Sequence, residues 1–230
     1  MNERTGRILE AVIEEFINTG EPVSSAVLYE NYDFGIKPAM IRLELETLEN
    51  DGFLKQPHHS AGRIPTDRGY EFFAERALEF KSTEADNGDI RDLFEKHAWR
   101  DLLSEFSSEL GLLGVVADLK NNMVYKMGLE SLVENLDWEN RSEISIVIRD
   151  FEGMDECLLH STKKAGSSSN LLGQGDLKVF IGKKSPVTKS ENLSVVRGNY
   201  IIQGGDMVSI FAIGPKRMDY KKTIKMFRDL

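Results

Sequence analysis

The chain has 230 residues, 40% of them hydrophobic, and a formal net charge of -9 at pH 7, long enough for two small domains that each bury a core. It carries no apolar run long enough to span a bilayer and its first residues are charged rather than signal-like, so a soluble, cytoplasmic protein is expected. Its single cysteine, Cys157, excludes an internal disulfide and reads as a passive, half-buried thiol. The negative balance argues against a surface coated in positive charge for indiscriminate nucleic-acid binding, but leaves room for a local basic patch.

From Arg4 to Thr19 the residues Ile8, Leu9, Val12, Ile13, Phe16 and Ile17 recur on one helical face, and Gly20 and Pro22 stop the helix. Ser24 or Ser25 can cap a short second helix carrying Val27, Leu28 and Tyr32, and Asp33 to Gly35 reads as a turn. Pro38 suits the first position of a third helix with the stripe Ile41, Leu45, Leu48, which Asp51-Gly52 ends. Phe53 to Gln56 and Arg63 to Pro65 are then expected as two antiparallel strands around a Pro57–Gly62 loop. Thr66 caps a fourth helix bearing Tyr70, Phe73, Ala77 and Leu78. Three helices, a hairpin and a helix form the pattern of a winged helix-turn-helix, whose third helix enters the major groove. Between Leu54 and Phe73, Lys55, Arg63 and Arg68 outnumber Asp67 and Glu71, so the hairpin region is mildly basic.

The polar stretch Lys81–Asp89 is expected to link residues 1–80 to a second domain over 90–230. One helix is predicted from Ile90 to Leu110, strands at Gly114–Ala117 and Met123–Lys126, and a helix over Ser142–Thr162. A loop is predicted over Gly166–Gly175, and a closing helix over Asp219–Leu230. Four short strands are predicted at Leu177–Ile181, Leu193–Arg197, Tyr200–Gln203 and Met207–Ile213. The fold class is therefore α+β.

The segments "RILEAVIEEFINTGEPVSS", "KPAMIRLELETLENDGFL" and "KQPHHSAGRIPTDRGYEFF", with "VFIGKK", "LSVVRGNY" and "AIGPKRMDYKK" near the other end, resemble the heat-inducible transcription repressor family HrcA. The resemblance implies a winged helix followed by a GAF-like regulatory and dimerisation domain, and a homodimer that represses chaperone genes from an inverted-repeat DNA operator. It also implies that the chaperonin GroEL maintains the active fold. This sequence resembles a compact member without the family's inserted dimerisation domain, since only residues around Leu119 to Met123 stand where the longer middle would be. On the third helix the family pattern has Thr and Asn where this chain has Met40 and Leu43, with Arg42 kept between them.

Lys37, Met40, Arg42, Leu43 and Thr47 on the third helix, and His58, His59, Ser60 and Arg63 on the hairpin, are the candidate DNA-binding residues. Arg42 either contacts phosphate or guanine or pairs with Glu46 at i+4. Lys37 either touches phosphate or is solvated. Arg63 and His59 at the wing would contact the DNA backbone and narrow groove, a positioning rather than a reading role, while His58 is equally a turn histidine packed on the hairpin. Met40 and Leu43 offer apolar contact alone, for example to a thymine methyl, or Leu43 covers the second helix or a partner surface. Glu44 and Glu46 sit awkwardly beside phosphates. No catalytic, metal or cofactor motif stands out: Cys157 and His160 form a lone C-x-x-H, and no P-loop or dinucleotide fingerprint appears. Two other classes stay open, a ligand-responsive regulator acting through the GAF-like domain and an interaction module that has lost specific DNA binding.

Overall fold

The computed structural model describes residues 1–80, 88–136, 141–164, 177–202 and 204–230. They divide into two compact units, Met1–Ala77 and Leu78–Leu230. Most of the expected linker, 81–87, and the expected loop Gly166–Gly175 lie outside the described residues, as does Gln203. Gly88 and Asp89 already belong to a helix.

The first unit runs α1 (Glu3–Thr19), α2 (Ser25–Asn31), α3 (Pro38–Asn50), β1 (Leu54–Lys55), β2 (Ile64–Pro65) and α4, which spans Asp67–Glu79. Each start has a local cause. Asn2 accepts from Thr5 N at 2.8 Å, Ser24 from Val27 N at 3.3 Å and Thr66 Oγ1 from Gly69 N at 3.3 Å, so side chains satisfy amides that no helical carbonyl reaches. Pro38 occupies the first turn of α3, where its missing N–H costs nothing. The core consists of Ile8, Leu9, Val12 and Ile13 from α1, Leu28 from α2, and Ile41, Leu45 and Leu48 from α3, joined by Leu54, Tyr70 and Phe73. Full burial of each such side chain is worth about 1.5–3 kcal/mol. β1 and β2 pair antiparallel, Leu54 with Pro65 and Lys55 with Ile64.

The second unit runs α5 (Gly88–Glu95), α6 (Trp99–Leu110), β3 (Leu113–Asp118), β4 (Met123–Met127), α7 (Leu129–Glu134), α8 (Arg141–Lys164), β5 (Lys178–Ile181), β6 (Leu193–Ile201), β7 (Met207–Pro215) and α9 (Tyr220–Arg228). Its five strands form one antiparallel sheet in the order β4-β3-β7-β6-β5. β3, β6 and β7 are buried along nearly their whole length, which requires helices on both faces. On one face Leu113, Val115, Val195, Phe211 and Ile213 meet Leu132 of α7 and Val147, Met154 and Leu158 of α8. On the other, Ser194 Oγ lies 2.8 Å from Tyr220 Oη, and the rings of Phe106 on α6 and Phe227 on α9 stand 5.5 Å apart. Mixed helix and antiparallel sheet make the chain α+β.

Four expectations change. The helix predicted over Ile90–Leu110 is two helices, broken where His97 takes φ 54°. Ala98 N donates to Leu93 O and His97 N to Phe94 O, a left-handed helix stop with histidine where glycine is usual. The strands predicted at Leu193–Arg197 and Tyr200–Gln203 are one strand that passes through Gly198, where a Cβ would come 2.6 Å from Tyr200 Oη. α7 is a further element that the residue spacing does not signal. Cys157 is exposed rather than half-buried.

Candidate nucleic-acid interface

α3 presents three faces. Ile41, Leu45 and Leu48 are turned into the core, whereas Met40, Leu43, Glu46 and Thr47 are exposed on the outward side. Met40 is 44% and Leu43 54% exposed, so Leu43 does not cover α2. Thr47 Oγ1 donates back to Leu43 O at 3.0 Å, which turns its methyl group and hydroxyl along the helix surface. Arg42 is exposed on the flank facing the hairpin, and among the described residues no ion pair joins it to Glu46 or to any other carboxylate. Lys37 is the exposed N-cap of α3 and makes no side-chain cap bond.

Two of the three carboxylates on α3 are turned away from a ligand on this side. Glu44 Oε1 accepts from Arg4 Nη2 at 2.8 Å and Nε at 3.1 Å, and its Oε2 accepts from Thr5 Oγ1 at 2.6 Å. The Thr5 hydrogen bond first, and then the Arg4 hydrogen bonds and charge, outweigh its desolvation and hold its pKa below the ordinary glutamate value. Glu49 Oε2 lies 2.8 Å from Arg63 Nε, an ion pair whose N–H is not aligned for a hydrogen bond. Glu46 alone is left beside Arg42.

Arg63 plays a different part from His58, His59 and Ser60 on the same hairpin. Its side chain is only 14% exposed and is held at the hairpin base by Glu49, so it braces the hairpin against α3 instead of projecting from the tip. Its backbone exchanges two hydrogen bonds with Val23, at 2.9 and 2.8 Å, tying the hairpin to the α1–α2 connection. The approach is close enough that a Cβ on Gly62 would sit 2.4 Å from the Val23 carbonyl. Gln56 Nε2 donates to His59 O at 3.0 Å and to Ala61 O at 2.9 Å, and Ala61 N donates to His58 O at 2.9 Å, which shapes the tip. His58, His59 and Ser60 are all exposed there, so His58 is not packed on the hairpin.

The structure thus brings Arg42, Glu46, His59 and Ser60 around one groove of about 300 Å³ between α3, the hairpin and the start of α2 at Ser24. Lys37, Met40, Leu43 and Thr47 lie outside this groove. Arg68, the remaining hairpin-region arginine, donates to Asp51 O at 2.5 Å with its guanidinium 4.3 Å over the Phe53 ring, and so serves the fold. Residues 1–77 hold eight Lys and Arg against fourteen Asp and Glu, so the unit as a whole is acidic and any basic patch on it is local. The ties from Arg4 to Glu44 and from Val23 to Arg63 join residues 40 positions apart and leave no mark in local spacing. Gln56, next to the loop it holds, is the one tie that sequence adjacency could have suggested.

A model of the HrcA protein C terminal domain matches residues 71–224. The chain belongs to the HrcA family. It is 25% identical over 328 aligned positions to the heat-inducible transcription repressor HrcA of Desulfitobacterium hafniense, covering 98% of this chain and 94% of that protein. With the protein of the same name from Clostridium perfringens it shares 47% identity over 81 residues, 35% of this chain and 24% of that one. Because 328 aligned positions exceed the 230 residues present, the Desulfitobacterium relative carries many residues with no counterpart in this HrcA-family chain. The crystal structure of a hypothetical protein shares the fold, with a TM-score of 0.67, 20% identity and coverage of 99% of this chain and 94% of that one. Among the described residues no helix is long and apolar enough to cross a membrane.

Proposed function

We propose that this HrcA-family chain is a DNA-binding transcriptional repressor of heat-shock chaperone genes, acting in the cytoplasm as a homodimer on an inverted repeat. The proteins it aligns with over nearly its full length are named heat-inducible transcription repressors. The observation that carries the mechanism is the outward face of α3: exposed Met40, Leu43 and Thr47 beside an Arg42 with no ion-pair partner among the described residues, and with Glu44 and Glu49 both tied back. In this reading residues 1–80 are a winged helix-turn-helix. α3 enters the major groove, Arg42 and Lys37 meet phosphate or guanine, and Met40 and Leu43 meet thymine methyl groups. His58, His59 and Ser60 at the hairpin tip follow the neighbouring backbone, and Arg63 holds the tip in place.

The second unit is a GAF-like regulatory and dimerisation domain, a reading supported by its antiparallel sheet with helices on both faces. The β3–β4 connection, where the resemblance puts the family's inserted domain, is a short turn in which Asp118 Oδ1 accepts from Asn121 N at 3.1 Å and Asn122 takes φ 53°. One acidic winged helix has few base contacts, so two half-sites bound together supply the affinity a single copy lacks. GroEL, as chaperonin for the repressor, is the proposed source of the heat signal. Reconstituted transcription from the source organism's own chaperonin promoter tests the function. Added protein should lower transcript from the native promoter and leave a promoter with a scrambled repeat untouched; equal transcript from both at saturating protein would overturn the reading.

A further inference from the structure

Arg197 lies in the middle of β6 and is 3% exposed. Its Nε has no hydrogen-bond partner, and among the described residues its guanidinium meets no carboxylate, only the ring of Phe180 at 5.5 Å. Burial alone pushes its pKa down. A buried guanidinium costs several kcal/mol unless an anion accompanies it. The cross-strand partner of Arg197 on β5 is Lys178. Side chains directly opposite in an antiparallel pair project to the same face at about 5 Å, where like charges are destabilising. Lys178 also has no ion-pair partner among the described residues.

Among the described residues, five acids around the sheet are committed elsewhere. Asp118 accepts from Asn121, Asp206 from Lys120, and Asp150 from Thr188 Oγ1 and Lys189 N, while Glu143 accepts from Ser190 and Asp155 pairs with Lys126. Two residues along β6 on the same face stands Asn199, whose Oδ1 accepts from Ser209 Oγ at 2.8 Å, adding neutral polar groups where an apolar core would continue.

We infer that Lys178 and Arg197 form a binding site for an oxyanion, a phosphate or carboxylate group carried by a small molecule, on the α8 side of the sheet. The planar guanidinium offers paired N–H donors that match either group, and Lys178 adds a second charge at its edge. Binding there gives two cations that lack a carboxylate partner among the described residues a neutralised, hydrogen-bonded cluster. The inference concerns the second unit alone and does not rest on the DNA reading.

Thermal unfolding of the full chain, followed at constant ionic strength with low-millimolar inorganic phosphate, succinate or chloride, tests it. The midpoint should rise to a plateau with phosphate or with succinate, whichever group the site takes, and not with chloride. Arg197→Met should abolish the rise while being at least as stable as the parent in anion-free buffer, since a hydrophobe replaces an unpaired buried charge. Lys178→Gln, on an edge strand, should weaken the apparent affinity tenfold or more, and it serves where Arg197→Met does not fold. A parent midpoint that follows chloride for both oxyanions overturns the site. So does a rise of equal size and midpoint concentration in either variant.

Discussion

The Arg4 guanidinium on α1 grips one oxygen of the Glu44 carboxylate on α3, with Nη2 at 2.8 Å and Nε at 3.1 Å. Thr5 takes the other oxygen at 2.6 Å. The contact fixes the roll of α3 about its axis, and with it which side chains point outward. Because the folded-state pKa of Glu44 is lowered, its stabilising contribution is complete above the ordinary glutamate value near 4.5 and is lost as pH falls through the lower folded value. Glu44→Gln should therefore be less stable than the parent at pH 7, and the gap should close in acid. Urea unfolding of both proteins at pH 7 and pH 3.5 checks this; a gap that persists unchanged at the lower pH would contradict it.

The ion pair of Arg63 with Glu49 joins the hairpin base to α3 across partly buried side chains, 14% and 34% exposed. A double-mutant cycle with Arg63→Ala and Glu49→Ala should give a coupling energy of about 1 kcal/mol, above a surface pair and below a fully buried one. A coupling near zero would mean that the hairpin is braced by the Val23 backbone bonds alone.

Gly62 lies against the Val23 carbonyl and Gly69 against Phe53 O, each where a Cβ would come within 2.4 Å of backbone. Neither contact yields without moving backbone. Gly62→Ala should cost about 1–3 kcal/mol and loosen the tip, measured as a lower denaturation midpoint and faster amide exchange at Val23. Unchanged exchange would contradict the close approach.

Met40→Thr with Leu43→Asn puts hydrogen-bonding groups on the outer face of α3 without touching the core. Stability should change by no more than about 0.5 kcal/mol. Operator preference should shift by about 1–3 kcal/mol per new base contact, read as relative affinities for a panel of half-site variants. A loss of fold would show that these side chains are covered.

The helix starts are legible in the sequence because their causes are local: Ser24, Thr66 and Asp219 each cap the turn that follows, and Pro38 sits where its ring is tolerated. The core stripes of α1 and α3 follow from spacing for the same reason. What spacing does not carry is the break at His97, because the left-handed stop there uses histidine where a glycine would have signalled it. Nor does it carry the continuity of β6 through Gly198, a residue that reads as a turn until Tyr200 is seen to lie over it. At the candidate site the exposed face of α3 is legible and the division of its charges is not. Whether a carboxylate repels DNA or braces a helix depends on Arg4 and Arg63, which the fold brings in from either side.

Arg42 stands between the outward face of α3 and the hairpin tip, so in the proposed function it is the residue on which DNA recognition would depend most. Fluorescence anisotropy of a labelled duplex carrying the inverted repeat, against a scrambled duplex and across a salt titration, is the most direct test. The parent should prefer the repeat and weaken as salt rises, and Arg42→Ala should lose at least about tenfold in affinity, with a salt slope shallower by about one per protomer if Arg42 meets phosphate. Equal binding of both duplexes by the parent, or an Arg42→Ala variant that binds the repeat as well as the parent does, would contradict α3 as the reading element.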